Sequence, residues 1–363
     1  MKTLKSINKL AYLVTTLCTS LIFAQEEASW LKGFKLSGNA DIFYKADFAG
    51  SDNNTKTSFT APNNSFELGM FSLKLTHSSG KFTTVADLGF GNRAEQFSYT
   101  ADNTKFLIKQ LYIDYAATDK LTLTGGSWAT HVGYELLDAP ENDIYSMSYA
   151  FSYGPFLHTG FKANYVASKF NFMAGVVNPT DFKSAFHTAD PNTGESFKNK
   201  FFIWQIGYAG DQLSAYLNGQ HGSYNPWSNN VSQFDLTAAY KFTDKFKLGV
   251  NATTATFSSD TPNVGKQTWS SLVGYLKYDV SEGFALNYRA EYLDNKDNVL
   301  VALGAANGNT VFANTISATL RQGNFQLKPE IRFESSNEDI YFKKDGSATG
   351  SSANFLIGAM YKF

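Results

Sequence analysis

The sequence predicts an all-β chain: a transmembrane antiparallel up-and-down β-barrel of about sixteen strands, with fourteen or eighteen as the alternatives, short periplasmic turns and long extracellular loops. Three observations predict it. Apolar and polar residues alternate with a period of two in segment after segment, connections alternate between short and long, and aromatic residues gather at the short ones. Such a pattern calls for a closed sheet, because the bilayer core satisfies no backbone N–H or C=O group and a barrel leaves none unpaired.

The opening of the chain reads as a targeting segment. Lys2, Lys5 and Lys9 precede an apolar stretch from Leu10 to Phe23, and Ala24 is a cleavage position of the right size. Residues 1–24 are therefore expected to be a secretory signal, 25–32 a short periplasmic segment and 33–363 the barrel. The stretch falls short of the roughly 20 residues of a spanning helix, and Thr15, Thr16, Thr19 and Ser20 interrupt it. Cys18, the single cysteine, lies inside the signal behind Thr15, Thr16 and Leu17, a poor lipidation context. The mature chain is expected to carry no disulfide, zinc or thiol chemistry. Loss of three lysines leaves a net charge of about −4, which excludes a dominant nucleic-acid footprint. A mean hydropathy of −0.26 is compatible with a barrel, since only alternate residues meet lipid.

The first segment shows the alternation best. Phe34, Leu36, Gly38, Ala40, Ile42, Tyr44, Ala46 and Phe48 share one face; Lys35, Ser37, Asn39, Asp41, Phe43, Lys45 and Asp47 share the other. In the second segment the alternation slips between Met70 and Phe71, which predicts a bulge there. Short turns follow at 78–81, 118–120, 167–169, 209–212, 243–245, 281–283 and 322–324. Phe82, Leu121, Phe170, Leu213, Phe246, Phe284 and Phe325 come just after them, and Tyr115, Tyr165, Tyr208, Phe242 and Tyr278 just before, as a girdle at one membrane interface. Longer connections lie at roughly 49–64, 92–104, 130–155, 179–199, 222–230, 258–267, 294–310 and 336–350. Pro329 falls inside the segment 325–334 and forfeits a ladder hydrogen bond, which is why the strand count is open. The last strand turns Phe355, Ile357, Ala359, Tyr361 and Phe363 outward.

Several stretches resemble one family. The opening strand Leu36-Ser37-Gly38-Asn39-Ala40-Asp41-Ile42-Phe43-Tyr44, the run Thr130-His131-Val132-Gly133-Tyr134-Glu135, and Ser152-Tyr153-Gly154-Pro155-Phe156 leading into His158-Thr159-Gly160-Phe161-Lys162 are similar to the putative β-barrel porin-2, OmpL-like group. The family pattern has an aromatic or aliphatic residue at the position of Asn39 and a basic residue near Met147. The resemblance implies an outer-membrane pore, located in the bacterial outer membrane, and brings no catalytic residue.

The inward face carries both signs of charge. Candidate pore-lining residues are Lys35, Asp41, Lys162, Asp235, Arg289, Glu291, Arg321, Lys328, Glu330 and Arg332, accompanied by Lys74, Lys109, Lys247 and Lys277 and by Asp47, Asp87, Asp114, Asp279 and Glu334. The near balance argues against strong ion selectivity, and no apolar filling of the bore is expected. Most of these residues are expected only to solvate the wall. The longest connection, 130–155, is the candidate constriction, with Glu135, Asp138, Glu141, Asp143 and Tyr145 as its site residues. It folds inward or caps the surface on its own aromatics.

Catalysis and metals have little support. His77, His131, His158, His187 and His221 show no metal spacing, and no Gly-x-Ser-x-Gly or Walker sequence occurs. The runs Asp294–Asn298 and Asp190–Glu195 read as plain turns rather than calcium loops. No cofactor is expected. The function expected is passive diffusion of small hydrophilic solutes or ions; the alternative is a loop-occluded structural barrel that scaffolds an outer-membrane assembly. Expected partners are outer-membrane lipid and lipopolysaccharide, the solutes, and a homotrimer or larger envelope complex, with no nucleic acid. Gly38 with Ala40, or Ala238 with Ala290, are candidate subunit contacts. The few residues between Gln25 and Gly33 leave no room for a plug domain.

Overall fold

The computed structural model describes residues 32–98, 108–184, 199–224, 229–259 and 265–363. The signal expected over 1–24, Cys18, His187 and the run Asp190–Glu195 lie outside the described residues. Sixteen antiparallel strands close into one barrel. They are β1 (Phe34–Asp47), β2 (Ser65–Ser79), β3 (Phe82–Phe90), β4 (Ile108–Ala116), β5 (Leu121–Ala129), β6 (Leu157–Ala167), β7 (Phe170–Val177), β8 (Phe201–Ala209), β9 (Leu213–Tyr224), β10 (Asn229–Lys241), β11 (Phe246–Ser259), β12 (Gln267–Ser281), β13 (Phe284–Asn295), β14 (Asn309–Gln322), β15 (Phe325–Ser336) and β18 (Ser351–Lys362). A two-stranded hairpin of β16 (Tyr341–Phe342) and β17 (Ala348–Thr349) sits in the last loop. Short helices α1 (Asn92–Phe97) and α2 (Tyr149–Ser152) belong to the second and third loops. Among the described residues no helix is long and apolar enough to cross a membrane.

The barrel closes where first and last strands meet. β1 pairs antiparallel with β18, Ala40 opposite Tyr361, and Gly38 and Phe363 exchange both backbone hydrogen bonds at 2.9 Å. No edge is left open, so every strand spends its N–H and C=O groups on neighbours, as hydrocarbon demands. The outward face is apolar: Phe66, Ile113, Phe161, Val176, Leu272 and Ile316 stand exposed on it. At the turn rim aromatics meet across the ladder, Phe82 on Tyr115 with centroids 5.0 Å apart and Phe170 on Tyr208 at 5.3 Å. These are the interfacial pairs expected of a girdle.

The irregularities have local causes. The β2 bulge falls at Gly69, one residue earlier than the slip expected between Met70 and Phe71: Asp41 pairs with Met70 and Ile42 with Leu68, so Gly69 is the extra residue. A Cβ on Gly69 would sit 1.7 Å from Asp41 Oδ1, and this close approach of carboxylate to backbone is why the bulge takes glycine. Pro329 does not break β15. The strand runs through it, paired with Ile357 on β18, while the β14 ladder skips from Ser317 to Leu320 opposite it. Sixteen strands therefore stand.

One expectation fails. The bore does hold apolar clusters: Phe43, Ala139, Tyr145, Leu356 and Met360 form one from mid-height toward the turn side, and Tyr149, Trp269, Leu293, Val311, Ile340 and Tyr341 belong to another at the loop end. The inward face of a strand is wet only where no loop covers it. Near the loop rim the strands carry inward apolar residues because long loops dock there.

Candidate functional site

The connection from β5 to β6 leaves the loop rim and runs inside the barrel. At its root, His131 Nε2 meets the Gly219 carbonyl of β9 at 3.2 Å, and the Gly133 N–H donates to the Asp235 carboxylate of β10 at 3.0 Å. The Tyr134 ring stacks on Tyr275 of β12, centroids 4.4 Å apart. Asp138 then accepts from Lys109 of β4 at 2.7 Å and from Asn39 of β1 at 3.0 Å. Lys328 of β15 donates to the carbonyls of Ala139, at 3.0 Å, and Asn142. Glu141 reaches Lys362 at 2.7 Å, and Asp143 sits between Lys247 at 2.7 Å and Lys277 at 3.1 Å. Lys362 ends β18 and Lys247 begins β11, both at the turn rim, so this segment descends the height of the barrel before it returns.

The returning half is bound more tightly. Tyr145 donates its hydroxyl to Asp41, and the N–H groups of Tyr145 and Ser146 reach Glu330 at 3.1 and 3.3 Å. Ser148 caps α2 by accepting from Phe151 N–H at 3.1 Å, and its own N–H and hydroxyl donate to Glu135 at 2.8 and 2.7 Å. Beneath them runs a row of alternating charge. Arg289 meets Glu135 and Glu291 at 2.7 Å each, and Arg332 meets Glu291 at 2.5 Å and Glu334 at 3.0 Å. Buried charges persist only when paired and hydrogen-bonded, and the guanidinium fork supplies enough donors to bind a carboxylate and loop carbonyls together. Arg289 does so through Ser146 O at 2.6 Å and Met147 O at 3.2 Å.

The sequence-derived residues sort by cover. Asp41, Asp235, Arg289, Glu291, Lys328, Glu330 and Arg332 point inward but lie under the loop, none more than 4% exposed. Lys35 and Arg321 keep solvent at the turn rim, and half-buried Lys162 holds its ammonium 4.6 Å above the Trp128 ring. In the loop, Glu135 and Tyr145 are buried, while Asp138, Glu141 and Asp143 keep part of their surface. Sequence reasoning missed Arg93, which leaves α1 to stack 5.0 Å from both the Phe59 and Tyr145 rings, and it missed Ser146, Ser148 and Lys362 as partners. Phe43, Trp269 and Val273 on the polar faces were the available signal, since apolar residues there must meet something other than water.

Burial and pairing set the ionisation of the loop. Burial pushes the hydroxyls of Tyr145 and Tyr149 well up, so both remain donors to carboxylates at neutral pH. For Asp143 burial works upward, but the Lys247 and Lys277 ammonium groups outweigh it and hold the carboxyl below its ordinary value. His131 is pushed down to about 4, chiefly by burial. Its folded value lies below the unfolded one of about 6.5, so the folded root favours the neutral ring, and its stability falls as pH drops from 6.5 toward 4. The full effect is about 3 kcal/mol. Conductance noise is expected to rise over that window and to flatten in His131→Asn; an unchanged acid response in that variant would show that the response does not come from His131.

The outer wall holds a Ser–His pair. His221 Nδ1 lies 3.2 Å from Ser232 Oγ, and Trp204 Nε1 donates to His221 Nε2 at 3.0 Å. Indole N–H only donates, so Nε2 is the acceptor and Nδ1 carries the proton toward Ser232. In that tautomer the ring is no base for the serine. Among the described residues, no group of three His, Cys, Asp or Glu side chains is placed to hold a metal ion.

The family model described as Putative beta-barrel porin-2, OmpL-like matches residues 33–363. The chain belongs to this family of outer-membrane porins. Among solved structures, the porin is similar to the trimer form of in-vitro folded OmpT, an outer membrane protein of Vibrio cholerae (TM-score 0.56, 12% identity, 91% of this chain and 99% of that one). It is similar to an anion-selective porin from Comamonas acidovorans (TM-score 0.60, 13% identity, 91% and 99%) and to the outer membrane channel DcaP of Acinetobacter baumannii (TM-score 0.58, 12% identity, 91% and 97%). At such identities these likenesses show the barrel fold. No curated protein matches the chain. The porin resides in the bacterial outer membrane, turns on the periplasmic side and loops outside.

Proposed function

We propose that this porin is a water-filled channel for passive diffusion of small hydrophilic solutes or ions, with the 130–155 loop as its constriction. One observation carries the reading: the loop is bound chiefly along the inner faces of β1, β10 to β15 and β18, with further anchors at Lys109 of β4 and Gly219 of β9, while the facing wall keeps half-buried polar groups, among them Lys74, Tyr112, Asp114, Lys162, Gln205 and Tyr216. A bore filled on one side and polar on the other suits a narrowed aqueous path. A homotrimer, lipid and lipopolysaccharide on the apolar belt, and secretion by residues 1–24 ahead of a short 25–32 segment are parts of the same reading. The trimer form of the Vibrio cholerae relative supports the first of these.

The competing reading, a loop-occluded scaffold, draws on the apolar clusters at the loop end. Planar bilayers separate the two. Stepwise conductance is expected, larger when residues 136–147 are replaced by a short Gly-Ser bridge. Silence of folded, heat-modifiable protein, with current appearing only in the shortened variant, would establish occlusion instead.

A further inference from the structure

We propose that the turn-side half of the bore selects small carboxylate anions, and that Lys241, Lys247 and Lys277 form the ladder on which they bind. The proposal rests on the channel reading. Lys241 is the ladder partner of Lys247, and Lys247 is the ladder partner of Lys277, so three ammonium side chains stand side by side on the inner faces of β10, β11 and β12. Like charges directly opposite one another destabilise a sheet, so such a row needs an anion. Asp143 supplies half of one: its Oδ2 and Oδ1 bridge Lys247 and Lys277 at 2.7 and 3.1 Å. Lys241 has no ion-pair partner among the described residues.

The clasp is reachable from the bore. Side-chain exposure is 29% for Lys247, 19% for Lys277 and 23% for Asp143, in contrast to the sealed Arg289 and Arg332 pairs. The accessible balance leans to bases. At the turn end Asp143, Asp279 and Glu141 are each held by a base, Asp279 by Arg321 at 3.0 Å and Lys277 at 3.7 Å, and Glu141 by Lys362 at 2.7 Å. On the inner faces Lys35, Lys74 and Lys241 have no acid partner among the described residues, against Asp114 of β4, which has no basic one, and the 243–245 turn adds Asp244 and Lys245, which cancel. A solute carboxylate displaces the tethered Asp143 carboxylate, group for group, and a second carboxylate reaches Lys241. Dicarboxylates therefore bind ahead of monocarboxylates.

Reversal potentials across bilayers in a KCl gradient test selectivity, and succinate titrated calorimetrically into the detergent-solubilised porin tests binding without requiring conduction. Chloride is expected to permeate ahead of potassium, and Lys241→Gln/Lys247→Gln/Lys277→Gln to lower that ratio roughly threefold and abolish succinate binding. Asp143→Asn, which leaves the ladder intact, is expected to raise both, and it serves if the triple variant loses heat-modifiable migration. Potassium preference in the wild type, or succinate binding unchanged in the triple variant and in Asp143→Asn, overturns the proposal. Silent bilayers with succinate bound through the ladder overturn the channel reading and keep the site.

Discussion

Arg289→Ala is expected to free the inner loop and enlarge the conductance. The guanidinium is fully buried and holds Glu135, Glu291 and the carbonyls of Ser146 and Met147 at once. Truncation leaves Glu135 with only Ser148 as partner and Glu291 with Arg332 and the Tyr149 N–H. Breaking a buried pair from one side costs about 3–5 kcal/mol, because an uncompensated charge remains in a low-dielectric site. The barrel ladder does not depend on this bond, so the cost falls on the loop. Single-channel recordings should show larger, noisier steps, and chymotrypsin should cut near Tyr145 and Tyr149, which are sealed in the wild type. Conductance and cleavage equal to wild type would show that the loop is held elsewhere. Arg289→Met combined with Glu135→Gln and Glu291→Gln should restore much of the order, since it removes the charges together. The direct field of Arg289 on permeating ions is small, because the Glu135 and Glu291 carboxylates neutralise it at contact.

Gly358→Leu is expected to expel Tyr145 from its pocket. A Cβ at position 358 would lie 2.3 Å from the Tyr145 ring, and the ladder through β1 and β15 holds the strand in place. The ring must move. It then loses its packing on Phe43, with centroids 5.6 Å apart, its stacking under Arg93 and its hydrogen bond to Asp41. Overpacking alone costs roughly 1–3 kcal/mol, and Asp41 is left with a weak contact to Arg93 at 3.9 Å and the Met70 N–H at 3.2 Å. Heat-modifiable migration should persist while conductance changes. Gly274→Ala is the matched control, since a Cβ there meets nothing within 4 Å. Tyr145→Ala alone should reproduce the change, and adding it to Gly358→Leu should not enlarge it, since both remove the same contacts. If Gly358→Leu and Gly274→Ala record alike, Tyr145 does not hold the loop.

The strands were legible because alternation is local. Phe234, Leu236, Ala238 and Tyr240 reveal their shared face within one short segment, and a turn such as 243–245 announces itself by its flanking aromatics. The cover over the wall was not legible. Arg289 and Glu135 stand 154 residues apart, Lys328 and Ala139 stand 189 apart, and no pattern in either segment points at the other. The same blindness affects charge. Counting signs along the inner faces suggests balance, yet burial withdraws Arg289, Glu291, Arg332, Glu330 and Asp235 from the bore and leaves Lys35, Lys74, Lys162 and Lys241 in it with Asp114.

Sequence alone therefore determined the membrane barrel and its two unlike rims, since the side-chain period and the turn chemistry act over a few residues and the bilayer demands a closed sheet; the count of sixteen was settled by the ladder that carries β15 through Pro329. Tertiary structure decided where the longest loop lies and which wall charges still meet water. Docking is a long-range packing event, and only the folded bore brings Asp143 to Lys247 and Lys277 or Tyr145 to Gly358.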